Sequence, residues 1–282
     1  MIRPREGHDQ RLIAARLSID PAPAELRWLH DVFGNSVAIV RFDAQSDCLV
    51  FDSHARIEHM PTEGADVEIE DYARRYPFTY AAEDMPDLLR SIERDHRDVD
   101  RIVDDWAHRF VRRDAPTETL ALLAEMTGTI RREFTYVGRH EKGTQTPIET
   151  LASRRGTCRD FAVLMIEAAR ALGFAARFVS GYVYSPSLGE GRVGGGNTHA
   201  WVRIFLPGSG WVEFDPTNGI VGSRGLVRAA VARDPLQAVP LSGTWFGEPG
   251  SFIDMDVSVE IAMEDSGDHG LDAINQERWA RC

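Results

Sequence analysis

The stretch from Cys158 to Asp215 constrains the fold of this chain more than any other, because one apolar helix must be followed there by three strands. Cys158 closes a polar run, Ser153 to Thr157, and opens Phe161-Ala162-Val163-Leu164-Met165-Ile166. That run continues to Leu172 with good helix formers and no internal Pro or Gly, and Gly173 stands where a C-cap is needed. Phe174 to Tyr184 then alternates β-branched and aromatic residues and reads as a strand. Residues 185–196, rich in Ser and Gly, read as an exposed loop. Beyond it, His199 to Leu206 and Trp211 to Asp215 are the arms of a hairpin about the turn Pro207-Gly208-Ser209-Gly210.

Three chemically able side chains fall in order along this stretch. Cys158 lies at a helix N-terminus, where unsatisfied N–H groups and the positive end of the macrodipole favour a thiolate and can also hold an oxyanion. Gly156, without a Cβ, lets backbone or substrate approach the sulfur. His199 and Asp215 each lie on the side of the hairpin away from the turn, so pairing of the arms brings imidazole and carboxylate to one end of the ribbon. A thiolate nucleophile, an imidazole base and a carboxylate that orients the imidazole are the parts that cysteine acyl transfer requires. Each residue alone has a plainer reading: a free Cys is usually a small buried hydrophobe, a His on an apolar strand a satisfied structural residue, and an Asp before Pro a turn former. Their coincidence is what points to chemistry. Trp201 and Trp211 are candidate walls of a cleft that excludes water. Asn197 and Asp160 are candidates by proximity, Asp160 also complementing the helix dipole.

Five segments occur in register: Thr146-Pro147-Ile148-Glu149-Thr150-Leu151, Gly156-Thr157-Cys158-Arg159-Asp160-Phe161-Ala162, Leu172 to Tyr182, His199-Ala200-Trp201-Val202 and Gly210 to Asn218. With them the chain resembles the bacterial transglutaminase-like superfamily. The resemblance implies an α+β, papain-like core, with a helix-borne Cys packed on an antiparallel sheet. In that core Cys158 is the nucleophile, His199 the base and Asp215 the orienting carboxylate. It further implies acyl transfer from amides or peptides to water or an amine through a thioester acyl-enzyme. Many bacterial members are thought to be hydrolases, so hydrolysis is expected ahead of protein cross-linking. Two alternatives stand beside this: a scaffold module without chemistry, and an acyltransferase of the arylamine acetyltransferase type, whose pattern around the Cys differs from Gly-Thr-Cys-Arg-Asp.

Ile2-Arg3-Pro4-Arg5, Gln10 and Asp31 to Ala38 resemble the small β-rich domain that commonly precedes this core in bacteria. Such domains usually carry a further strand before the Arg-Pro-Arg segment. Met1 stands almost on that segment here, so either a truncated start or a sheet lacking an edge strand is expected, and an uncovered edge invites pairing with another chain. Asp234 to Gly247 resembles the family's post-core segment, with Pro235 where an aromatic is more typical.

Elsewhere, Val37 to Phe42, Leu49 to Phe51 and Ala65 to Ile69 read as short strands. Met85 to Val111 carries an imperfect helical stripe, and Thr119 to Phe134 reads as a second helix; both are expected to pack around the Cys158 helix. Phe252 to Ile261 alternates as a last strand would. The expected organisation is a β-rich N-terminal domain over 1–80, a catalytic domain over 81–262 and an acidic tail over 263–282. A net charge of −12 weighs against nucleic acid and anionic membranes. No apolar run is long enough for a bilayer span or a signal peptide, so a cytoplasmic location is expected. Three cysteines with no CxxC pair lead us to expect neither disulfide nor structural zinc, and no acidic loop has calcium spacing. The expected partner is therefore a peptide or amide substrate, with no metal and no cofactor.

Overall fold

The computed structural model describes residues 1–138, 143–184, 197–248 and 250–264. The glycine-rich loop expected over 185–196 and nearly all of the expected tail lie outside them. The N-terminal region folds as two antiparallel ribbons: β1 (Gln10–Asp20) pairs with β4 (Val50–His59), and β2 (Glu25–His30) pairs with β3 (Ser36–Arg41). The strand expected over 65–69 does not form. Gly64–Asp66 is instead a 3-10 turn closed by a Glu63/Asp66 capping box, whose reciprocal bonds satisfy local backbone groups that a strand would leave open.

Next come β5 (Arg75–Tyr76), α1 (Met85–Ile92), α2 (Ile102–His108), β6 (Thr117–Glu118) and α3 (Thr119–Glu133). The expected stripe from Met85 to Val111 is broken because Asp98 starts a new helix. Its carboxylate accepts hydrogen bonds from the N–H groups of Ile102, Val103 and Asp104 at 2.8, 3.1 and 3.0 Å. Those are the orphan donors of a first turn. Then β7 (Thr135–Tyr136) runs parallel to β8 (Arg155–Gly156), with α4 (Pro147–Ser153) between them.

α5 (Cys158–Ala171) is the centre of the molecule, buried at every position from Asp160 to Arg170. Gly173, at φ 86°, ends it and turns the chain into the sheet. That sheet comprises β9 (Ala176–Val183), β10 (His199–Leu206), β11 (Gly210–Asp215), β12 (Ile220–Val221) and β13 (Leu226–Ala232), in the order β12-β11-β10-β9-β13 and antiparallel throughout. Alternate β10 residues Ala200, Val202, Ile204 and Leu206 share the main core with α5, while Leu123 and Met126 of α3 and Trp106 of α2 close its other side. Each large side chain buried there contributes about 1.5–3 kcal/mol. Trp201 faces the other way, into a smaller cluster with Val179, Val183, Leu226 and Val231.

β13 lies at the edge of the sheet, yet its outer backbone is not open. Gln10 Nε2 donates to Arg228 O at 2.9 Å while its Oε1 accepts from Arg228 N–H at 2.8 Å. Asn35 does the same at Val231, at 2.7 and 2.9 Å. Two buried side-chain amides thus stand where a sixth strand would. The strand expected over Phe252 to Ile261 is absent: the segment has no regular structure, no described strand pairs with it, and Phe252, Ile253 and Met255 are exposed. Alternation sorts side chains to two faces but cannot supply a hydrogen-bonding neighbour. No helix among the described residues is long and apolar enough to cross a membrane.

Candidate active site

The start of α5 is held by a capping box. Thr157 Oγ1 accepts from Asp160 N–H at 3.4 Å, and Asp160 Oδ2 accepts from the N–H and hydroxyl of Thr157 at 2.8 and 2.9 Å. The second oxygen of Asp160 accepts from Gln145 N–H at 2.7 Å, tying the approach to α4 onto the same turn. Asp160 is fully buried, and both of its oxygens accept from backbone around the turn that carries Cys158. Gly156 has a packing reason as well: a Cβ there would lie 2.9 Å from that of Asp160.

Cys158, the first residue of α5, is a free thiol 6% exposed. Two neighbours feel the sulfur. Burial raises the Tyr136 phenol above its ordinary value, and the charges of Cys158 and Asp160 raise it further. Burial lowers Arg159, and the same two charges oppose it.

His199 opens β10 opposite Gly181 of β9 and is 1% exposed. The register of β10 on β11, from Val202 opposite Phe214 to Leu206 opposite Gly210, leaves His199 and Asp215 together at the end away from the turn. His199 Nε2 lies 2.8 Å from Asp215 Oδ2. Asp215 is completely buried, and the residues after it fold back on it: Thr217 and Asn218 N–H donate to Oδ1 at 2.9 and 3.3 Å, and Asn218 Nδ2 donates to Oδ2 at 2.7 Å. Burial would raise this carboxyl, but the charge of His199 and the bonds from His199, Asn218 and Thr217 hold it below the usual range. Burial would likewise lower the imidazole. The charge and hydrogen bond of Asp215, joined by those of Cys158, push it up to about 10. Among the described residues no atom meets His199 Nδ1 at full hydrogen-bond geometry, so its contact with the Cys158 thiol is loose, as is common in a site without substrate.

The remaining candidates separate. Trp201 stacks on His199, with centroids 5.8 Å apart and planes at 27°, but it is fully buried and braces the imidazole from behind. Trp211 belongs to the turn end of the hairpin, packed on Phe205 with Arg177 over its face, and does not join the trio. Asn197 is exposed just ahead of β10. Asn218 was not singled out from the sequence, although Asp215-Pro216-Thr217-Asn218 carries a signal for it, because a turn at Pro216 returns the Asn to the Asp. Among the described residues no group of three or more His, Cys, Asp or Glu could hold a metal ion. The arrangement can move a proton between a thiol and an imidazole whose protonated form a buried carboxylate stabilises.

Residues 104–216 match the transglutaminase-like superfamily, and residues 1–58 match the bacterial transglutaminase-like N-terminal region. Uncharacterized proteins of Mycobacterium tuberculosis and Mycobacterium bovis are each 29% identical over 274 residues, spanning 92% of this chain and 84% of the relative. One from Mycobacterium leprae is 34% identical over 125 residues, spanning 44% of this chain and 42% of its own. The structure of a candidate cysteine protease from Cytophaga hutchinsonii superposes with a TM-score of 0.63 at 19% identity, covering 84% of this chain and 76% of that one. At that identity the likeness is one of fold, and it agrees with the papain-like α+β core. The order of helix, sheet and buried pair agrees with the two matched regions: residues 104–216 belong to the transglutaminase-like superfamily, and the bacterial transglutaminase-like N-terminal region stands ahead of them over 1–58.

Proposed function

We propose that this chain is a cysteine hydrolase of amide or peptide bonds, with Cys158 as nucleophile, His199 as acid and base, and Asp215 as the carboxylate that orients His199. The observation that carries the proposal is the buried His199–Asp215 pair at 2.8 Å, its imidazole raised to about 10 with a free thiol beside it. Transfer of the Cys158 proton to His199 Nδ1 gives a thiolate and an imidazolium. The thiolate attacks the carbonyl carbon, and the N–H groups at the start of α5 stabilise the oxyanion that forms. The adduct collapses to a thioester as His199 gives its proton to the departing amine. Water then loses a proton to His199, attacks the thioester and releases the acid, restoring the thiol. The burial of Cys158 and His199 favours water over a bulky protein amine as the second nucleophile, and the fold shared with a candidate cysteine protease supports the same outcome.

The test is iodoacetamide alkylation resolved by peptide mass, followed by a fluorogenic peptide library, on wild type, Cys158→Ala and His199→Ala. Fast labelling of Cys158 that His199→Ala abolishes, together with peptide cleavage lost in Cys158→Ala, is the expected result. Labelling no faster than that of a small free thiol would favour the scaffold reading. Stable acylation by acetyl thioesters would favour the acetyltransferase one.

A further inference from the structure

A chain of net charge −12 gathers three guanidinium groups, from Arg90, Arg177 and Arg233, on one cavity of about 450 Å³. Val32 and Phe33 of the N-terminal region form its apolar wall, and Ser91 and Asp87 of α1 complete the lining. Two of the cations are already matched. Arg90 pairs with Glu93, and Arg233 lies 3.2 Å from Asp95. Arg177 has no ion pair among the described residues. Its Nε donates to Ser91 Oγ at 3.1 Å and its guanidinium lies 4.0 Å over the Trp211 ring, which leaves its terminal amino groups without an acceptor among the described residues. Ser91 Oγ, having accepted from Arg177, keeps its own proton to donate.

Burial and the neighbouring charges of Arg203 and Arg5 all oppose the charge on Arg177. A guanidinium so held, oriented by stacking and with its fork free, suits bidentate capture of an oxyanion. We propose that this pocket binds a small organic anion, an oxyanion head on a short apolar body, with Arg177 as the anchor, Arg90 and Arg233 as flanking cations and Val32 and Phe33 against the body. The pocket is separate from the trio. Arg177 stands opposite Arg203 and Gly181 opposite His199, so the two sites are four residues apart along β9, or about 13 Å at the rise of a strand.

Thermal unfolding of the full chain with sodium hexanoate, inorganic phosphate or sodium chloride at matched ionic strength tests this. A ligand of the folded state raises Tm with its concentration. A rise with hexanoate beyond that with chloride identifies a carboxylate head, and a rise with phosphate alone a phosphate head; either must be weakened at least tenfold in apparent affinity by Arg177→Gln. Should Arg177→Gln not fold, Arg177→Lys keeps the charge and removes the fork, and the same weakening is expected. Shifts equal to those of chloride, or unchanged in the Arg177 variants, overturn the proposal. The readout needs no turnover and is expected unchanged in Cys158→Ala.

Discussion

Asn218 and His199 meet on one oxygen: Nδ2 of Asn218 lies 2.7 Å and Nε2 of His199 2.8 Å from Oδ2 of Asp215. The oxygen is thereby fixed in position before any proton moves, and it holds a proton on Nε2 so that Nδ1 is the nitrogen left to Cys158.

Asn218→Ala should therefore slow Cys158 while leaving the fold intact. A hydrogen bond to a charged group is worth about 1.5–3 kcal/mol, so the alkylation rate of Cys158 should drop about tenfold to a hundredfold. An unchanged rate would show that Asp215 is oriented adequately by His199 and the backbone alone.

Stability should report the same pair through pH. His199 is raised from 6.5 to about 10 on folding, so its contribution is fully present below pH 6.5 and is lost as pH rises toward 10. Asp215 is lowered from 3.8, so its contribution is present above that value and is lost on further acidification. The two describe one coupled pair and count once. Urea midpoints of wild type and His199→Ala should thus converge between pH 6.5 and 10, and a constant gap would refute a charged imidazole.

Gly181→Ala should damage the site from beneath. A Cβ at Gly181 would overlap the Val227 carbonyl and lie 2.7 Å from the Trp201 ring that stacks on His199. Overpacking of this kind costs about 1–3 kcal/mol. Denaturation should show that loss, and Cys158 labelling should slow with it.

Arg228 joins the N-terminal region to the core, contacting Asp9 at 2.5 and 2.7 Å and Glu213 at 2.8 Å, all buried. Arg228→Met leaves the buried Asp9 carboxylate without its cation and Glu213 with Arg203 alone, and should cost about 3–5 kcal/mol in urea denaturation. Asp9→Asn, which leaves Arg228 paired with Glu213, should cost less.

What the sequence disclosed was local or one hairpin away. The α5 boundary at Cys158, its glycine stop and the union of His199 with Asp215 all follow from signals within a few residues of each other or across one turn. Asp98 hid the break between α1 and α2, because an acidic residue in a charged run reads as solvated surface until its three backbone partners are known. β13 was passed over because it is buried at every position and so shows no alternation. Phe252 to Ile261 erred in the other direction, displaying alternation without a neighbour. Trp201 and Trp211 both suggested a cleft by type, yet only their parity and distance from the turn decide that one supports His199 and the other supports Arg177.

The amide clamps of Gln10 and Asn35 on β13 bear on how this protein can be taken apart. A fragment of residues 81–262 would hold the whole trio, yet it would expose the N–H and C=O of Arg228 and Val231 on a bare edge beside an Arg228 deprived of Asp9. Such an edge recruits a second chain. The core carrying Cys158 is therefore expected not to stand alone as a portable module, its working boundary being drawn by two amide side chains of the N-terminal region.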